Sequence, residues 1–183
     1  IVDTRAKKYR DAINVTSSMV AALPTNYTNN NHFTNALLAK LILIDESGLQ
    51  QDKDDALVIA NYIIDNNRVD TSFGGLFGAP LLTGGLGAKG LPIETVNALA
   101  QLLYDSLPDD PLQPWCDVSY SNIYLMHTAN LVTLGEALAH LGPKAAAAAS
   151  AGYQFWWQWV SYTSAAGFHE FNSPTYTAVQ LNG

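Results

Sequence analysis

The stretch Val118–Leu141, VSYSNIYLMHTANLVTLGEALAHL, runs into Gly142-Pro143 and then into Lys144–Ser164, KAAAAASAGYQFWWQWVSYTS. In its first part Tyr120, Tyr124, His127 and Leu131 recur at three- and four-residue spacing, which places them on one helical face. Asn122, Met126, Asn130 and Thr133 fall on an adjacent face. Gly142-Pro143 is a helix stop, and the Ala145–Ala149 run beyond it is a strong helix former whose small side chains let a neighbouring helix approach closely. Two long helices separated by a stop make an α-hairpin, and that pattern extends along the chain.

Four more helical stretches precede this hairpin, and alternating strand patterns are nearly absent. The first is expected over about Thr4 to Leu23 and ends at Pro24 and the Asn29-Asn30-Asn31 run. A second covers about His32 to Glu46, with Phe33, Leu37, Leu38, Leu41 and Ile44 inward and Gly48 as its stop. A third begins near Gln51 or Asp52, with acidic residues in its first turn, and carries Leu57, Ile59, Ala60, Ile63 and Ile64 to about Asn66. Phe73 to Leu91 is glycine-rich and reads as a long, functional or mobile loop. Pro92 opens a fourth helix with Val96, Leu99, Ala100 and Leu103, closed by Pro108, Pro111 and Pro114. The sixth ends at Gly167, and the tail from Phe168 is irregular or extended. The expectation is an all-α chain of consecutive α-hairpins, a single domain or a fragment of a larger α/α toroid.

Composition agrees with one sizeable core: the chain has 183 residues, 48% of them hydrophobic. Nine Lys+Arg against sixteen Asp+Glu give a net charge of −7, and only 14% of residues are charged. Fourteen Asn outnumber all the basic residues, which disfavours nucleic acid and suits a secreted, sugar-contacting surface. Every apolar run is broken well before the ~18 residues of a membrane span, so no membrane partner is expected. Neither an initiating Met nor a basic-then-apolar leader is present at Ile1, so the chain is expected to be mature after processing or cut from something longer. Cys116 alone excludes an internal disulfide framework, and the sequons at Asn14 and Asn26 are compatible with glycosylation.

The densest polar constellation is Phe168-His169-Glu170-Phe171-Asn172-Ser173-Pro174-Thr175-Tyr176-Thr177. An imidazole, a carboxylate, an amide, hydroxyls and a phenol stand together there, enough for proton transfer and hydroxyl recognition. The competing reading is a turn whose polar side chains cap neighbouring helices. The string Glu170-Phe171-Asn172-Ser173-Pro174-Thr175-Tyr176 resembles a Glu-aromatic-Asn-Ser-Pro-Thr-Tyr signature of large secreted α/α-toroid carbohydrate-active proteins, the group of toroid polysaccharide lyases and six-hairpin glycosidases. That resemblance implies an active cleft at one mouth of a ring and a polysaccharide or oligosaccharide substrate. In its lyase form, Tyr176 or His169 moves the proton, Asn172 or Asn122 neutralises the sugar carboxylate, and Glu170 positions them. A hydrolase would need two carboxylates about 5 Å or about 6.5–9.5 Å apart, with Glu170 as the acid and Asp117 as a weak partner.

His127 is a candidate for substrate binding, although a helical His among apolar neighbours is more often a core residue. Trp115, in the Pro-rich loop before the hairpin, is a candidate stacking platform. The last helix, with Tyr153, Phe155, Trp156, Trp157, Trp159 and Tyr162, is expected to be buried on most faces, with one or two rings exposed to stack on sugar faces. No zinc spacing, P-loop or nucleophile elbow occurs, and no cofactor is expected. Helix-dipole complementation accounts for Asp52-Lys53-Asp54-Asp55, with a calcium site as the alternative. The rival to an enzyme is a non-catalytic helical-repeat module that binds a glycan or peptide.

Overall fold

The computed structural model describes residues 11, 30–67, 90–113 and 121–166, and every regular element among them is helical. The protein is all-α over these residues. The helix expected over 4–23, apart from the helical Asp11, lies outside them. So do the 73–89 part of the glycine-rich stretch, both sequons, Cys116, Asp117, Gly167 and the tail from Phe168.

The described residues fall into two compact units, the first holding 30–67 and 90–102, the second 103–113 and 121–166. In the first, α1 (Asn30–Ser47) and α2 (Gln50–Asp65) pack against each other. Asn30 and Asn31, expected to end a preceding helix, instead form the first turn of α1. Gly48 ends α1 in a left-handed conformation (φ 62°), where its N–H reaches the Ile44 carbonyl at 2.9 Å. Phe33, Leu37, Leu41 and Ile44 are buried opposite Ala56, Ile59, Ala60 and Ile63, and Phe33 stacks on Tyr62 with centroids 5.0 Å apart.

A charge is buried in that seam. Lys40, with no exposed surface, sits 2.6 Å from an Asp55 oxygen and 3.5 Å from Asp52, itself buried. Asp52 and Asp55 are three residues apart and therefore share the face of α2 turned to α1. Asp52 stands in the first turn of α2, as dipole complementation expects, and the contact with Lys40 is a second role that the sequence did not show. The calcium alternative also loses its ligands, since both carboxylates are taken by an ammonium. Among the described residues no cluster of His, Cys, Asp or Glu could hold a metal ion.

Helix α3 (Ile93–Asp105) follows Pro92 as expected and buries Thr95, Leu99, Ala100 and Leu103. The second unit is dominated by the hairpin of α4 (Ser121–Ala137) and α5 (Pro143–Ala166). α4 stops four residues short of the expected Leu141, because Ala139–Leu141 tighten into a single 3₁₀ turn before the extended Gly142. Pro143 is the first residue of α5, where its fixed φ suits a helix start and its missing N–H costs nothing. Lys144 ties this end to the last residue of α3 and the turn beyond it, reaching the Asp105 carbonyl at 3.2 Å and Asp109 at 2.9 Å.

The two helices of the hairpin touch through backbone. A Cβ placed on Gly135 would lie 2.5 Å from the Ala149 nitrogen and 2.6 Å from the Ala145 carbonyl oxygen. One on Gly152 would lie 2.7 Å from a Val132 methyl and 3.1 Å from the Thr128 carbonyl oxygen. Ala145, Ala148 and Ala151 complete a seam of small residues on α5, all buried. Tight approach at this end leaves the larger side chains to fill the seam further along, where Phe155 packs against Tyr124 and His127 and Trp159 is buried one turn beyond.

Candidate functional site

Of the residues singled out for chemistry, Tyr176, His169, Glu170, Asn172 and Trp115 lie outside the described residues. Asn122 belongs to the first turn of α4, but its side chain is outside them too. His127 is placed fully, and it is buried. Its ring lies 6.2 Å from that of Phe155, and neither ring nitrogen has a hydrogen-bond partner among the described residues. Burial holds its pKa below the ordinary imidazole value, with no charged neighbour adding to the effect. A neutral ring without an orienting carboxylate lacks the geometry of a poised general base. Tyr124, one turn earlier, donates from its hydroxyl to Gln158 at 2.7 Å.

The aromatic helix is more open than expected, with three rings exposed where one or two were anticipated. Phe155 and Trp159 are buried, but Tyr153, Trp156 and Trp157 are 48%, 38% and 66% exposed. The reason is the small-residue seam: α5 meets α4 through Ala145, Ala148, Ala151 and Gly152, then Phe155 and Trp159, which is one helical face. Tyr153, Trp156 and Trp157 fall on the others. Trp156 is nonetheless held, stacking on Trp159 with centroids 5.4 Å apart.

Between the exposed sides of α4 and α5 lies an open groove of about 320 Å³, lined by Leu125, Thr128, Ala129, Val132, Thr133, Tyr153 and Trp156. Its α4 wall is small and branched, and its α5 wall is aromatic. Thr128 is buried and its hydroxyl has no hydrogen-bond partner among the described residues. At the rim the Tyr153 hydroxyl donates to Glu136, and that hydrogen bond raises the tyrosine pKa above its ordinary value, helped by the carboxylate's charge. His127 is not among the lining residues.

Sequence reasoning did not single out this groove: it left one or two rings of the last helix open for sugar faces without naming them, and of the α4 wall it placed only Thr133 on a face that could line a cleft. The signal was present: Thr128, Ala129, Val132 and Thr133 recur at helical spacing on α4, and Tyr153 and Trp156 stand three apart on α5. Weighing each ring first as core concealed which of them open onto it. Fold and groove together define an all-α protein with an aromatic-walled surface groove. Comparison of the chain with protein-family models, curated proteins and solved structures finds no match.

Proposed function

We propose that the chain is a carbohydrate-active module of a secreted protein, part of an α/α toroid, with lyase-type elimination ahead of hydrolysis. The observation that carries the carbohydrate reading is the exposed aromatic side of α5, where Tyr153 and Trp156 line the groove and Trp157 is open to solvent. Flat rings held open to solvent next to hydroxyl-bearing threonines are what the C–H face and hydroxyls of a sugar require. The elimination chemistry rests on the Glu170–Tyr176 resemblance. Tyr176 or His169 exchanges the proton, Asn172 or Asn122 meets the carboxylate, and Glu170 positions them. Trp115 remains its candidate substrate contact, whereas His127, buried against Phe155 and away from the groove, is a core residue.

The exposed aromatics equally favour binding without turnover, the second reading. One experiment separates them. The protein is incubated with a panel of uronic-acid and neutral polysaccharides, and the ultraviolet absorbance of an unsaturated product is followed alongside release of reducing ends. A rise in both supports elimination, reducing ends alone indicate hydrolysis, and saturable binding with neither leaves a binding module. Under the enzymatic reading Glu170→Gln and Tyr176→Phe each abolish turnover while helical circular dichroism and melting temperature stay nearly unchanged. Large losses of stability in both would reassign the motif to structure.

A further inference from the structure

We propose that the groove between α4 and α5 is a subsite for one uncharged sugar ring, an assignment that rests on the carbohydrate reading above and deepens it. At about 320 Å³ the groove stands at the small end of small-molecule sites, which run from about 300 to about 1,000 Å³. Trp156 offers the ring face on which a sugar stacks. Its own stacking on Trp159 fixes that face in advance, so little side-chain freedom is lost on binding. Thr133, a hydroxyl-bearing residue of the opposite wall, is half-buried and lines the groove.

Thr128 is the independent observation. A buried hydroxyl without a partner is unfavourable, and this one belongs to a residue that lines the groove. In a helix threonine divides between two χ1 wells, so rotation exchanges its methyl for its hydroxyl at the groove wall. A sugar hydroxyl, which both donates and accepts, then completes the bond. The apolar side chains of a docked helix have no atom that could do so.

Charge selects the class of sugar. Among the described residues no Lys, Arg or His lines the groove, and the Tyr153 hydroxyl at its rim is bonded to the Glu136 carboxylate. A uronate would bring a second negative charge beside Glu136 with no cation among the described lining residues to meet it, on a chain whose net charge is already −7. A neutral ring meets no such repulsion. The subsite serves elimination, hydrolysis or binding alone.

The test is calorimetric titration of the full chain with xylohexaose, mannohexaose, cellohexaose and hexagalacturonate, repeated for Trp156→Ala, Thr128→Val and Glu136→Gln. A neutral oligosaccharide is expected to bind, and Trp156→Ala to weaken it by about tenfold. Thr128→Val is expected to weaken it by about two- to tenfold without lowering the melting temperature, since valine removes an unpartnered hydroxyl and keeps the shape. Glu136→Gln is expected to improve binding of hexagalacturonate. Neutral binding that Trp156→Ala leaves unchanged overturns the subsite while the carbohydrate reading stands. Hexagalacturonate bound as tightly as the neutral sugars, and lost in Trp156→Ala, overturns the uncharged class. If the parent binds none of the four, the subsite falls together with the carbohydrate reading. A concentration-dependent dimer abolished by Trp156→Ala would assign the groove to a second copy of the chain.

Discussion

Gly135→Ala sets two effects of opposite sign against each other, and the helix crossing decides which wins. Alanine favours a helix interior over glycine by about 1 kcal/mol, so propensity alone predicts a more stable protein. At this position the new methyl carbon would stand 2.5 to 2.8 Å from Ala149 N, Ala145 O and Ala149 Cα. Carbon contacts are most favourable at about 3.5–4.0 Å, so the helices must separate by about 1 Å. All three obstructing atoms are backbone, and no side chain can rotate away. Overpacking costs about 1–3 kcal/mol, and obstruction by backbone puts this site near the upper end. Net destabilisation is about 2 kcal/mol, which lowers the melting temperature of a chain this size by about 4–8 °C. Thermal and urea unfolding followed by helical circular dichroism measure it. Ala146→Gly, at an exposed position of α5, calibrates propensity alone at about 1 kcal/mol. A Gly135→Ala protein as stable as its parent, or more so, would refute the close crossing of α4 and α5.

His127 makes stability depend on pH. Burial holds its folded pKa below the ordinary value of 6.5, so as pH falls through 6.5 the unfolded chain takes up this proton first. Its contribution is therefore present above pH 6.5 and declines below it, by at most about 1.4 kcal/mol per pH unit, until the folded pKa is reached. Urea unfolding across that range should show the slope, and His127→Leu should flatten it; an equal slope in both proteins would place its origin elsewhere. Lys40→Met leaves the buried Asp52 without its ammonium and should cost about 3–5 kcal/mol, with Asp52→Asn partly restoring stability in that background. A Lys40→Met protein within about 1 kcal/mol of its parent would mean the pair is open to water.

Much of the helical framework was legible in the linear pattern. Phe33, Leu37 and Leu41, or Leu99 and Leu103, recur at helical spacing and are buried, because a helix projects three- and four-spaced residues to one side. Punctuation was legible as well: Gly48 and Pro92 stand at the boundaries their backbone chemistry assigns them. Lys40 and Asp52 were not, since a charged residue in a helix pattern reads as solvent-facing until its partner on another helix is known. The same holds for the motif at Glu170–Tyr176, whose roles depend on contacts that residue order cannot supply.

The last helix marks the division most clearly. Its composition, an alanine run followed by six aromatic residues, was enough for a long helix, because propensity and period are local properties. Which aromatics face solvent was settled by packing. The close approach at Gly135 and Gly152 selects one face of α5 for α4, buries Phe155 and Trp159 on it, and turns Tyr153 and Trp156 toward the groove. Residue order names the rings on a helix, whereas burial of any one of them is a property of the surface that another helix covers.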